Sequence, residues 1–240
     1  MASNTAAVSH PDDGIKPATL WAGRLAQCII TLLFPILLVL LAVRLVMTPL
    51  FLQVEYQRSG FPEDYYGFST EDRLHYGPVA IEYLLSSADI SLLSDLSFSG
   101  GGTLYNIREL GHMRDVKIVT QAAFAFGLFG AVLFVLCTLY LYRTQRARLL
   151  AAVARGAWLT IGLIVAIVIG AVVAWDTFFT GFHNLFFTSG TWQFAYSDTL
   201  IRLFPEQFWF DAAIVIGAIT FAGSLIPLLL IWLISRNQSG

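Results

Sequence analysis

The sequence predicts a mainly α membrane protein: a four-transmembrane-helix bundle with a small α+β extracytoplasmic cap. Three observations lead there. Of 240 residues, 57% are hydrophobic and 12% charged, about half the charged share of a soluble domain. Four apolar runs each reach the roughly 20 residues that a helix needs to cross the hydrocarbon core. The charges are also segregated. Segments 51–117 and 176–211 hold fourteen of the sixteen acids but six of the fourteen Lys and Arg.

The elements follow in order. Residues 1–24 are a polar tail, expected in the cytoplasm, with His10, Asp12, Asp13, Lys16 and Arg24. Span one occupies 25–50, its apolar run lying from Leu25 to Met47. That run is too long for a signal-peptide core and no small-residue cleavage site ends it, so it reads as retained. Spans two, three and four follow at 118–142, 157–175 and 212–234. A helix satisfies its own backbone inside lipid, so all four are helices. Pro35 and Pro227 fall within spans and predict kinks or local loosening.

The connection 143–156 carries Arg143, Arg146, Arg148 and Arg155 and no acid. By the positive-inside rule this loop, the first tail and the tail 235–240 are cytoplasmic, and the two acid-bearing segments are outside. The arginines read as a topology determinant. The net charge of −2 gives no hint of a nucleic-acid partner.

Segment 51–117 is too long to lack structure. Its alternating Phe51–Tyr56 reads as a strand. Ser69 and Thr70 before Glu71 and Asp72 start a helix that bends at Gly77-Pro78. Leu96 to Asn106 reads as a hairpin around Gly100-Gly101-Gly102. Asn106 then caps a helix leading into span two. Segment 176–211 is aromatic-rich, with Ser197 capping a short helix that stops at Pro205. Trp192, Phe208 and Trp209 fit an interfacial belt.

Candidate chemistry gathers on the outer face. His112 sits in Arg108–Lys117, where helical spacing puts Glu109 and Asp115 roughly along its side. Either carboxylate fits the role of orienting the ring and raising its basicity. His183 lies among aromatics, which favours a neutral base, with Asp176 as its candidate partner. His75 reads as a soluble-helix residue. Arg44, at the outer end of span one, fits either a snorkelling side chain or an anion ligand. Cys28 and Cys137 read as small hydrophobes in apolar runs. No zinc-protease, serine-elbow, Walker or dinucleotide motif is present. An enzyme here is expected to use acid–base chemistry with no cofactor and no metal.

Three stretches carry a resemblance: Tyr66–Ser69 with Glu71-Asp72-Arg73; Glu109-x-x-His112-Met113-x-Asp115-Val116-Lys117; and Phe182-His183 followed by Phe186-Phe187, Trp192 and Asp198 to Pro205. In order and placement they resemble the family of small four-span membrane proteins that includes the bacterial lipoprotein intramolecular transacylase, Lit. The resemblance implies a plasma-membrane acyltransferase acting on diacylglyceryl-modified lipoproteins among membrane lipid. It would move the sn-2 acyl chain to the α-amine of the same N-terminal Cys, giving a lyso-form lipoprotein. It implies His112 and His183 as catalytic residues at the outer leaflet, with base and oxyanion donor assignable either way. Glu109, Asp115 and Asp176 would support them. Arg44, Tyr66, Arg73, Met113 and Trp192 are the candidate substrate contacts. Oligomeric state stays open. Two other readings stand beside it: an envelope binding or assembly protein that needs no base, and a small transporter. The transporter is disfavoured because Arg44 is the only charge clearly within a span.

Overall fold

The computed structural model describes residues 17–237, so His10 and most of the first tail lie outside the described residues. Nine helices are present among them: α1 (Pro17–Val46), α2 (Pro49–Gln57), α3 (Thr70–Leu85), α4 (Ser91–Ser94), α5 (Ile107–Thr144), α6 (Arg146–Val173), α7 (Trp175–Phe186), α8 (Thr199–Leu203) and α9 (Glu206–Asn237). Four of them, α1, α5, α6 and α9, are long and apolar enough to cross a membrane. The protein is a multi-pass membrane protein.

Helix α1 is the hub of the bundle, packing against α5, α6 and α9, while α9 also lies along α6. Small residues let these helices approach, as is usual where no hydrophobic effect drives helices together. A Cβ on Gly156 of α6 would stand 2.7 Å from Phe34 Cβ and 3.3 Å from the Thr31 carbonyl of α1. Thr31 Oγ1 donates to the Ala152 carbonyl at 3.2 Å across the same seam. The seam continues through Ala152 and Ala157, both without exposed surface.

The Arg-rich connection is not a loop. Gln145 alone stands between α5 and α6. Its side-chain amide donates to the Thr19 carbonyl at 3.1 Å, which pins the start of α1 to this turn. The helices also run unbroken through Pro35 and Pro227.

The cap departs from the sequence expectation: it is helical, with no strand among the described residues. Phe51–Tyr56 belongs to α2. Thr48 caps that helix by accepting from Phe51 N at 3.3 Å, and Pro49 supplies a preset φ at its first position. The helix then buries Leu52, Glu55 and Tyr56 on one face. The glycine hairpin is a tight reversal with a single bridge, Ser97 to Thr103. Helix α3 starts as expected, with a reciprocal Ser69–Asp72 capping box, and passes through Pro78. Helix α8 is led by Asp198, not Ser197.

One apolar core holds the cap to α5. Phe68, Tyr76, Tyr83, Leu93, Leu104, Tyr105, Leu200 and Leu203 surround Met113. Helix α5 has 38 residues, about 57 Å at 1.5 Å per residue. That is nearly twice the roughly 30 Å hydrocarbon core. Residues 107–117 therefore stand above the apolar run and carry His112 into the cap.

Candidate functional site

Two rigid elements meet at the site. Helix α5 brings His112 up from the bundle. Ala174 breaks the helix between α6 and α7, and α7 carries His183. After α7, Gly190 (φ +86°) turns the chain back so that Trp192 and Phe194 fold over the site. Glycine is required there because that φ is left-handed.

The two imidazoles both pack against Phe187. Its ring centroid is 5.0 Å from that of His112 and 5.9 Å from that of His183. Phe194 contacts His112 at 5.4 Å. Trp192 lies over His183 at 4.6 Å and 31°, and its Nε1 donates to Asn184 Oδ1 at 3.2 Å. His183 Nδ1 is 2.8 Å from the Phe179 carbonyl. A carbonyl only accepts, so Nδ1 carries the proton and Nε2 of the neutral ring is left with its lone pair. His112 Nδ1 is buried with no partner.

Burial favours the neutral form of both rings. It pushes His112 down to about 4, helped by the neighbouring His183 and opposed by Asp115. Burial also lowers His183, partly offset by its bond to Phe179. Near neutral pH both are uncharged imidazoles in an aromatic surround. An open cleft of about 490 Å³ reaches His112 between Arg108, Gly111, Arg114, Asp115, Gly190 and Thr191. Arg108 is held by the Gln193 carbonyl at 2.7 Å.

The other residues singled out in the sequence fall in different places. Glu109 is buried and turned away from His112: Oε2 accepts from Asn106 N at 2.8 Å and Oε1 from Leu200 N at 2.7 Å. It caps α5 and anchors α8. Asp115 is exposed on the cleft wall and acts on His112 through charge. Asp176 is exposed at the start of α7, and the Phe179 carbonyl, not a carboxylate, holds His183 Nδ1. Arg44 donates to the Met47 carbonyl at 3.2 Å, closing the end of α1. Met113 is cap core. His75 is exposed on α3. Trp192 is the one candidate contact placed against a site histidine.

Arg73 and Tyr66 line a separate cleft of about 360 Å³ with Asp64, Tyr196 and Ile201. Arg73 is buried there, donating to the Arg202 carbonyl at 2.9 Å and the Pro62 carbonyl at 2.7 Å. Arg202 pairs with Asp64 at 3.1 Å. A second cluster had no sequence signal: Arg58 joins Glu55 of α2 at 2.9 Å to Asp211 of α9. Phe187, Asn184 and the Phe179 carbonyl were equally missed. Only the stretch Phe182–Phe187 pointed to Phe187 and Asn184, and a main-chain acceptor such as the Phe179 carbonyl leaves no mark in a sequence.

The family profile described as lipoprotein intramolecular transacylase Lit matches residues 28–209. An uncharacterised protein of Aquifex aeolicus is 27% identical over 205 residues, covering 85% of this chain and 92% of its own. A solved structure of the membrane integral lipoprotein intramolecular transacylase Lit from Bacillus cereus superposes with a TM-score of 0.74 at 20% identity, covering 91% of this chain and 98% of that one. A variant of that protein with a histidine replaced by arginine gives 0.65 at 18% identity, over 90% and 93% of the two chains. At these identities the structures attest a shared fold.

Proposed function

The chain belongs to the lipoprotein intramolecular transacylase family, Lit, and is an acyltransferase; we propose that it moves the sn-2 acyl chain of a diacylglyceryl-modified lipoprotein to the α-amine of the same N-terminal Cys, with His112 and His183 as its catalytic pair. The observation that carries this reading is the pair of neutral imidazoles that share Phe187 as a ring neighbour, one of them, His112, lining an open cleft.

The chemistry asks little beyond positioning and proton transfer. Nucleophile and ester belong to one molecule, so holding its head in a bent form replaces a bimolecular encounter. The amine attacks the ester carbonyl, and a base takes the proton that the nitrogen must lose. The tetrahedral oxyanion needs a donor, and the glyceryl oxygen leaves with a proton.

His183 is suited to be the base, because its Nδ1–H is fixed on Phe179 and Nε2 presents the lone pair. His112 is suited to be the donor. Its Nδ1 is buried without a partner, and a buried N–H without an acceptor is costly. That favours the tautomer with the proton on Nε2. There it donates a hydrogen bond to the oxyanion, while the proton that His183 takes from the amine is handed on to the departing glyceryl oxygen, which leaves both rings neutral again. Asp115 supports His112 electrostatically. Trp192 holds the plane of His183. Arg73 and Tyr66, in their own cleft, are candidates for gripping the substrate away from the reacting atoms. The acyl chains lie against the bundle, among membrane lipid.

The proposed orientation places both termini and the Gln145 turn in the cytoplasm and the site at the outer leaflet, by the positive-inside rule. The test is direct. The gene is expressed in a strain whose lipoproteins are diacylated with a free N-terminus, and the N-terminal lipopeptides are examined by mass spectrometry. The expected result is an N-acylated, lyso-form Cys. A free amine on well-expressed protein overturns the reading.

A further inference from the structure

Gly111 stands two positions before the buried Met113 of α5, yet nothing packs on it. A Cβ there would meet no atom within 4 Å, and its φ is helical. Glycine in a helix interior is disfavoured against alanine, so its presence calls for a reason. Close helix packing is the reason at Gly127, where a Cβ would lie 2.7 Å from Leu40. Gly162 and Gly170 of α6 are also open, but they face outward from a span, where glycine is common. Gly111 lies above the span and lines the cleft beside His112. Facing it, Gly190 likewise has empty space where a side chain would be.

Charged and polar side chains stand in the cleft between these two bare positions, set in a largely apolar surface. Arg108, Arg114, Asp115 and Thr191 wall it with His112. A peptide main chain is suited to such a place, because bare walls let it approach and polar neighbours satisfy its N–H and C=O groups. We propose that Gly111 is a specificity-determining residue, kept free of a side chain so that the lipoprotein's main chain just after the modified Cys passes directly over α5 beside His112. The inference rests on the transacylase reading and names how its substrate enters.

The test uses the full chain in proteoliposomes with synthetic diacylglyceryl lipopeptides that carry Gly or Phe after the Cys. Gly111→Ala and Gly111→Val are compared with wild type and with Gly162→Ala, measuring kcat, KM, thermal midpoint and the Kd of a fluorescent lipopeptide. Gly111→Ala is expected to keep or raise the thermal midpoint, by about 2–4 °C. Gly111→Val is expected to raise KM and Kd on the order of tenfold or more, and further for the Phe peptide than for the Gly peptide. Gly162→Ala leaves both constants at wild-type values. Unchanged KM and Kd in both Gly111 variants overturn the proposal, as does a lowered thermal midpoint in Gly111→Ala, which would make the glycine a packing residue. Should wild type bind lipopeptide but form no N-acyl product, the transacylase reading falls, and the Kd series still decides the role of Gly111.

Discussion

At the scale of single residues, the site depends on two rings kept neutral by burial. Replacing either His112 or His183 by Ala should lower the transacylation rate by about 10²–10⁴-fold, the usual worth of a positioned acid or base. His75→Ala, on the exposed face of α3, should leave it unchanged; lipopeptide turnover measures all three. The pH dependence follows from the same burial. With both rings already neutral, the rise of kcat/KM with pH should track the substrate amine, near about 8. A limb near pH 6.5 would place an ordinary, solvated histidine in the site instead. Stability moves as well. His112 titrates at about 4 when folded, against about 6.5 when unfolded. Between these values the unfolded chain binds the extra proton, so stability falls as pH drops from about 6.5 to 4. The buried Glu55 and Glu109 are raised and act in the opposite sense. Subtracting the thermal-melt profile of His112→Asn from that of wild type therefore isolates the histidine, and the difference should become independent of pH above about pH 7.

At the scale of elements, Glu109 is a joint between helices. Its carboxylate satisfies Asn106 N at the start of α5 and Leu200 N at the start of α8. Glu109→Ala strips the partner from a buried amide and should cost about 1–3 kcal/mol, read as a lower melting temperature. The spacing of Glu109 and His112 suggests a carboxylate that orients the ring. That spacing puts two residues on one side of a helix but does not say which way a long side chain turns, and the capping position claimed this one. Helix α2 departs from its sequence pattern for a related reason. Phe51–Tyr56 alternates like a strand, yet the same letters place Leu52, Glu55 and Tyr56 on one helical face. The Thr48-Pro49 start signal, read first, decides between the two. The spans were legible because lipid imposes length and hydropathy on them. The capping signals at Ser69 and Asn106 were legible because they are local. The cleft walls were not, because Arg108 and Gly190 meet only through the tertiary fold.

At the scale of the whole molecule, the bundle turns on close contact of α1 with α6. Gly156→Val would drive a side chain into Phe34 and the Thr31 carbonyl. The backbone cannot yield as a flexible side chain can, so a loss of about 1–3 kcal/mol or more is expected. A detergent melt would report it, without direct change at either histidine. Topology is checked separately: reporters active only in the cytoplasm, fused to either terminus, should both be active.

The unbroken length of α5 has a mechanical consequence. A rod that passes from the Gln145 turn to His112 without a joint converts any change of its tilt into a displacement at its top, and His183 rides a different body beyond the break at Ala174. Helices answer a thicker or thinner bilayer by tilting. A change of tilt would alter the distance between the two imidazoles, so catalysis in vesicles of graded thickness should peak at one thickness and decline on both sides.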